Sequence, residues 1–133
     1  MEDQRIVVTG MGIVSPVGLD VPTMWQNLMA GKSGIGPVTL FDASQHGARI
    51  AGEAHGFDPL NYMDAKDARR ADRFVQFAIA ALEQALGQSA LVIDSHNRYD
   101  VGVIVGSGVG GIWTYSEEFE KLHDHGPRRV SPF

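Results

Sequence analysis

The chain has 133 residues, 44% of them hydrophobic, and carries a formal net charge of -5 at pH 7, which suits one core and is too short for two ordinary domains. The acidic balance argues against a general nucleic-acid binder, and no apolar run approaches the ~18 residues of a membrane span. With no cysteine anywhere, disulfides, zinc thiolates and a cysteine nucleophile are excluded within these residues.

The start, Met-Glu-Asp-Gln-Arg, is charged and leads straight into an apolar run; it reads as neither a signal nor a transit peptide, so the expected compartment is the cytoplasm. Residues 6–9, Ile-Val-Val-Thr, predict a buried strand, broken at once by glycines at 10, 12 and 18 around Pro16. Those glycines predict a loop that turns sharply or packs closely. Asp20 is a helix cap, Pro22 suits a first turn, Trp25, Leu28 and Met29 form an apolar face, and Gly31 is a stop. Residues 31–37 read as loop, 49–53 as a short strand, and 57–62 as a turn around Pro59.

Asp67 is expected to open the strongest helix, because Ala71, Phe74, Val75, Ala78, Leu82, Ala85 and Leu86 recur at helical spacing and Gly87 follows them. Phe77, Ile79 and Ala81 make the other side apolar too, which predicts a helix buried between layers or against something this chain does not supply. A polar connection over 88–98 leads to a second apolar strand at 101–105, which runs into Gly-Ser-Gly-Val-Gly-Gly at 106–111. Residues 112–122 predict a weaker helix and 126–133 an irregular tail. Two apolar strands, each ending in a glycine loop with helices between them, predict an α/β protein whose working edge lies at those loops.

Three motifs mislead. Gly31-Lys32-Ser33 resembles the end of a phosphate loop, but the earlier glycine is missing and a helix precedes it instead of a strand. Residues 106–111 fit the dinucleotide pattern G-x-G-x-x-G, yet no acidic residue or strand lies ~20 positions further on. His123, Asp124 and His125 are adjacent, but histidines two apart on a helix diverge and no third ligand has useful spacing. His46, His55 and His96 stand alone among polar residues. No nucleophile, base and orienting group assemble from this sequence.

The basic residues are uneven. Lys66, Arg69, Arg70 and Arg73 crowd one stretch, and Arg128 and Arg129 form a second cluster. From charge alone a solvated helix face is the favoured reading, with docking of an acidic partner as the alternative. Val109, an apolar side chain on a glycine loop, reads equally as a loop core residue and as the wall of an apolar site.

Taken in order, several segments resemble β-ketoacyl-acyl carrier protein synthases. They are Val-Thr-Gly-Met-Gly-Ile-Val-Ser-Pro-Val-Gly at 8–18, Trp25, Leu-Met-Ala-Gly-Lys-Ser-Gly-Ile at 28–35, Phe41-Asp42, and Ala-Asp-Arg-Phe-Val-Gln-Phe at 71–77. Val-Gly-Ser-Gly-Val-Gly-Gly at 105–111 and Gly-Pro-Arg-Arg-Val-Ser-Pro-Phe at 126–133 continue the series. The last two are most similar to the type II synthases of bacterial fatty-acid elongation.

The resemblance implies a thiolase-like fold, two α/β halves stacked in five layers, working as a homodimer. Residues 1–133 correspond to an incomplete first α/β half, a partial N-terminal domain that stops before the segment carrying the family's nucleophilic cysteine and before its two catalytic histidines. The expected catalytic residues here are therefore none, and the chain alone is expected to be inert. Val109 and Ile112 match positions that border the acyl pocket. Lys66, Arg69, Arg70, Arg128 and Arg129 match positions where the family docks acyl carrier protein. The resemblance implies no metal and no cofactor of the chain's own, since phosphopantetheine arrives on the carrier. Rival readings are a polyketide ketosynthase or chain-length-factor subunit, a nucleotide-binding dehydrogenase, and a module that binds carrier protein without chemistry.

Overall fold

The computed structural model describes residues 5–132. They belong to two compact units, Met1–Asp58 with Ala80–Val92, and Pro59–Ile79 with Ile93–Phe133.

In the first unit, α1 (Val21–Met29) starts as the sequence predicts. Asp20 accepts from the Thr23 N–H at 2.7 Å, proline lies in the first turn, and Gly31 follows with a φ of 67°. The loop before it is held against the last part of α3 (Arg73–Ser89) by two glutamine side chains. Gln84 accepts from the Ile13 N–H (3.1 Å) and donates to the carbonyls of Ile13 (3.1 Å) and Leu19 (2.8 Å). Gln88 accepts from the Met11 N–H at 2.6 Å. These bonds satisfy backbone groups that have no strand partner. The glycines of this loop serve close packing: a β-carbon on Gly10 would stand 2.1 Å from the Ala85 carbonyl oxygen.

Two short strands, β1 (Ile35–Pro37) and β2 (Ile50–Gly52), pair antiparallel with Gly36 opposite Ala51. β2 falls in the expected strand, whereas β1 lies in a stretch that reads as loop. Three residues containing glycine and proline carry no alternation, so its strand character comes wholly from its partner. Beyond β2 the buried Glu53 carboxylate accepts from the Thr39 hydroxyl (2.5 Å) and amide (3.0 Å) and from the Leu40 amide (3.2 Å).

The second unit opens with a 3-10 turn at Pro59–Asn61 and the four-residue α2 (Ala65–Ala68), capped by Asp64. The long helix does not begin at Asp67: a break separates α2 from α3, and the Asp72 carbonyl accepts from the Val75 and Gln76 amides to start the new helix. Nor does it end at Gly87. It runs to Ser89, and Ala90 takes the left-handed conformation with a φ of 54°. α4 (Ile112–His125) extends past its expected end, and Gly126, with a φ of 79°, turns the chain into a 3-10 turn at Pro127–Arg129.

Residues 6–9 and 101–105 form no ladder: the two-stranded sheet of β1 and β2 is the one sheet among the described residues. Ile6 and Ile104 are 98% and 100% exposed. A buried parallel strand is defined by its neighbours, and residues 5–132 do not supply them. Core formation follows the same limit. Ala43 and Ala80 are the buried apolar residues described, and α3 is half-buried from Phe74 to Ile79 with Leu82 exposed, as expected where the covering element is not among these residues.

Candidate functional site

The sequence-derived site residues all lie in the second unit, in three pieces. The first is the glycine loop at 106–111, in which the Ser107 hydroxyl accepts from the Gly110 N–H at 2.9 Å and Gly110 has a φ of 73°. Val109 is 73% exposed on this loop, and Ile112, the first residue of α4, is 55% exposed. An apolar pair standing in solvent at the mouth of a helix can contact an apolar chain laid across it. Neither is a core residue here.

The second piece is the basic segment on α2. Asp64 caps it by accepting from the Lys66 and Asp67 amides, both at 2.8 Å, and Lys66, Arg69 and Arg70 are exposed. Arg128 and Arg129, exposed on the 3-10 turn after α4, form the third piece. No carboxylate among the described residues forms an ion pair with Lys66, Arg69, Arg128 or Arg129.

Two carboxylates tie these pieces to α4, and the sequence reading named neither. Asp72 Oδ2 accepts from the Thr114 N–H (2.9 Å) and from its hydroxyl (2.8 Å). Burial raises the Asp72 pKa, but hydrogen bonds from the Thr114 amide and hydroxyl and from the Arg73 and Phe74 amides outweigh it, so the carboxyl titrates below the usual aspartate value. Glu118 accepts from the Ser131 N–H at 2.5 Å and from the Lys121 ammonium at 2.6 Å. The Lys121 and Ser131 bonds hold Glu118 below the ordinary glutamate value, and Glu118 in turn raises Lys121. Thr114 and Glu118 are four apart and share a face of α4. The elbow after α2 and the tail after α4 are thus anchored one turn apart on one helix. Asp72 was legible as the acidic residue directly before the longest apolar-periodic run, the usual place of a cap; Glu118 carried no comparable signal.

The misleading motifs stay apart from these pieces. In Gly31-Lys32-Ser33 the serine hydroxyl accepts from the Ile35 amide, closing a local turn. His123 Nδ1 and Asp124 Oδ1 lie 2.8 Å apart on an exposed helix end, and no group of three metal-ligating side chains occurs among the described residues. A shallow depression of about 360 Å³ in the first unit is bordered by Ser15, Val17, Asp20, Thr23 and His55. Its one carboxylate, Asp20, is engaged in capping α1. No helix described is long and apolar enough to cross a membrane.

The family described as "Beta-ketoacyl synthase, N-terminal domain" matches residues 3–133. The chain belongs to the β-ketoacyl synthase family. It is 47% identical over 133 residues to a "3-oxoacyl-[acyl-carrier-protein] synthase 2" of Coxiella burnetii, and 44% to the protein of the same name from Synechocystis, covering 100% of this chain and 32% of each relative. It therefore spans about a third of the length of these relatives. Among solved structures, "The ishigamide ketosynthase/chain length factor" superposes with a TM-score of 0.72 at 28% identity, covering 95% of this chain and 32% of that one. A "type II PKS acyl-carrier protein in complex with its ketosynthase bound to the hexaketide" gives a TM-score of 0.69 at 27% identity, with the same coverage. The fold is accordingly an incomplete N-terminal α/β part of the thiolase-like ketosynthase architecture, as the sequence predicts.

Proposed function

We propose that this chain is the N-terminal portion of a type II 3-oxoacyl-acyl carrier protein synthase of fatty-acid elongation, an acyltransferase working in the cytoplasm as a homodimer. In that reaction an acyl group rides on a cysteine thiolate. Malonyl-carrier protein loses carbon dioxide, and the resulting carbanion attacks the acyl thioester. A carbon–carbon bond forms, the carbon–sulfur bond breaks, and the thiolate is restored. The nucleophile belongs to the remaining two thirds of such an enzyme, since these 133 residues hold no cysteine.

The chain's own part is recognition. Val109 and Ile112 offer an apolar border to the acyl chain. Lys66, Arg69, Arg70, Arg128 and Arg129 attract the acidic surface of acyl carrier protein, which delivers the chain on phosphopantetheine. The observation that carries this reading is identity of 42–47% along the whole chain to synthases of that name from Synechocystis, Coxiella burnetii and Staphylococcus aureus. A polyketide ketosynthase or chain-length factor is the second reading, supported by the solved structures at 27–28% identity. The test is condensation by a complete synthase containing residues 1–133, supplied with saturated acyl-carrier and malonyl-carrier protein. A single extension by two carbons supports the first reading, and repeated extension without reduction the second.

A further inference from the structure

We propose that Asp72 is a positioning residue that holds the basic segment at 66–70 in fixed register with the glycine loop at 106–111, so that a carrier protein docked on the one is aimed at the other. This rests on the reading of the chain as part of a carrier-dependent synthase.

Two joins make the register. On the basic side, Gln76, one turn into α3, donates through Nε2 to the carbonyls of Ala68 (2.9 Å) and Ala71 (3.1 Å), which pins the end of α2 to α3. On the loop side, Asp72 Oδ2 takes both donors of Thr114, across 42 positions of sequence. A β-carbon on Gly111 would stand 3.3 Å from that same oxygen, so the exit of the loop rests directly against the carboxylate. Asp72, Gln76 and Thr114 are half-buried, while Lys66, Arg69, Val109 and Ile112 are exposed. The joining groups are partly withdrawn from water and the groups they orient are not. A carboxylate suits the place because it accepts from several amides together and carries negative charge at the first turns of both α3 and α4. A carrier brings its acyl group on a flexible arm, so the productive fraction of encounters depends on where the docking surface stands relative to the acyl border.

The experiment compares kcat/KM for an acyl-carrier protein with that for the same acyl group on a small pantetheine thioester, in a complete synthase containing residues 1–133. Loss of one of these bonds should lower the carrier-to-thioester ratio about two- to tenfold in Asp72→Asn and in Thr114→Val. Thr114→Ser, which keeps the hydroxyl, should restore it. Equal losses with both substrates would mean that Asp72 merely supports the fold, and would overturn the proposal; so would a wild-type ratio in the two variants. If Asp72→Asn does not fold, the valine and serine pair at 114 decides alone. A wild-type synthase inert toward acyl-carrier protein overturns the functional reading, and this inference with it. An active wild type with unchanged variant ratios overturns this inference only.

Discussion

Gly12 lies so close to Ala81 that a β-carbon on the glycine would stand 1.9 Å from the alanine's carbonyl oxygen. That oxygen is helix backbone and cannot swing aside as a side-chain tip would. Gly12→Ala must therefore push the loop off α3 and stretch the hydrogen bonds that Gln84 makes to Ile13. The expected loss is about 1–3 kcal/mol of stability. Gly47→Ala is the matched control, because nothing lies within 4 Å of its added carbon and a change within about 0.5 kcal/mol is expected. Urea midpoints of the two variants check this, and equal midpoints would refute it.

Glu53 makes the first unit acid-sensitive in a definite direction. Hydrogen bonds from the Thr39 hydroxyl and amide lower its pKa in the folded state, against a smaller opposing effect of burial. A depressed folded pKa contributes stability that is present above the unfolded glutamate value, about 4.3, and is lost as pH falls through the lower folded value. Glu53→Gln should therefore weaken the protein at neutral pH and flatten its stability profile on the acid side. The Glu53 carboxyl resonance should titrate with a midpoint below that of an exposed glutamate; a midpoint at or above it would remove the argument.

Charge reversal tests the proposed docking role of the basic clusters. Arg69→Glu with Arg70→Glu, or Arg128→Glu with Arg129→Glu, in a complete synthase should raise the KM for acyl-carrier protein. An exposed pair contributes about 0.2–1 kcal/mol, and reversal adds repulsion to lost attraction. The effect should lie mostly in association rate and fade as salt rises. Wild-type kinetics with the carrier at low salt would return these arginines to the status of a solvated face.

Residues 1–133 on their own should take no acyl group from a carrier protein, because covalent transfer needs an activated nucleophile and no cysteine is present. Mass spectrometry of the purified chain after incubation with acyl-carrier protein checks this, and an added acyl mass would contradict it.

Local chemistry was legible in the sequence. Asp20 at the start of α1 and Gly31 after it stand where capping rules put them, since a cap depends on a handful of adjacent atoms. The gap between Asp67 and Asp72 was not legible: both acids suit a cap, and the choice depends on Thr114, forty-two positions away. β1 was missed for a similar reason, because Ile35–Pro37 has no strand pattern until β2 lies beside it. The strands expected at 6–9 and 101–105 failed in the opposite sense. Their pattern is right for a buried sheet, and the neighbours that complete such a sheet are not in the described residues. At the site, charge and glycine content exposed the loop and the basic clusters. The partners of the carboxylates that mount them were hidden: Asp72 suits a cap, yet neither its bond to Thr114 nor that of Glu118 to Ser131 leaves a mark in the sequence.

Those two bare runs have a consequence for how such a protein is made. Backbone that forms no ladder among the described residues, carrying side chains as apolar and exposed as Ile6, Val8 and Ile104, is a template for pairing with another chain. During translation a chain emerges from its N-terminal end, and domains fold as they appear. Until its sheet neighbours are made, a nascent chain of this kind would present two apolar runs open to pairing with other chains. Slower synthesis would lengthen that exposure and lower the yield of folded protein without changing one residue of it.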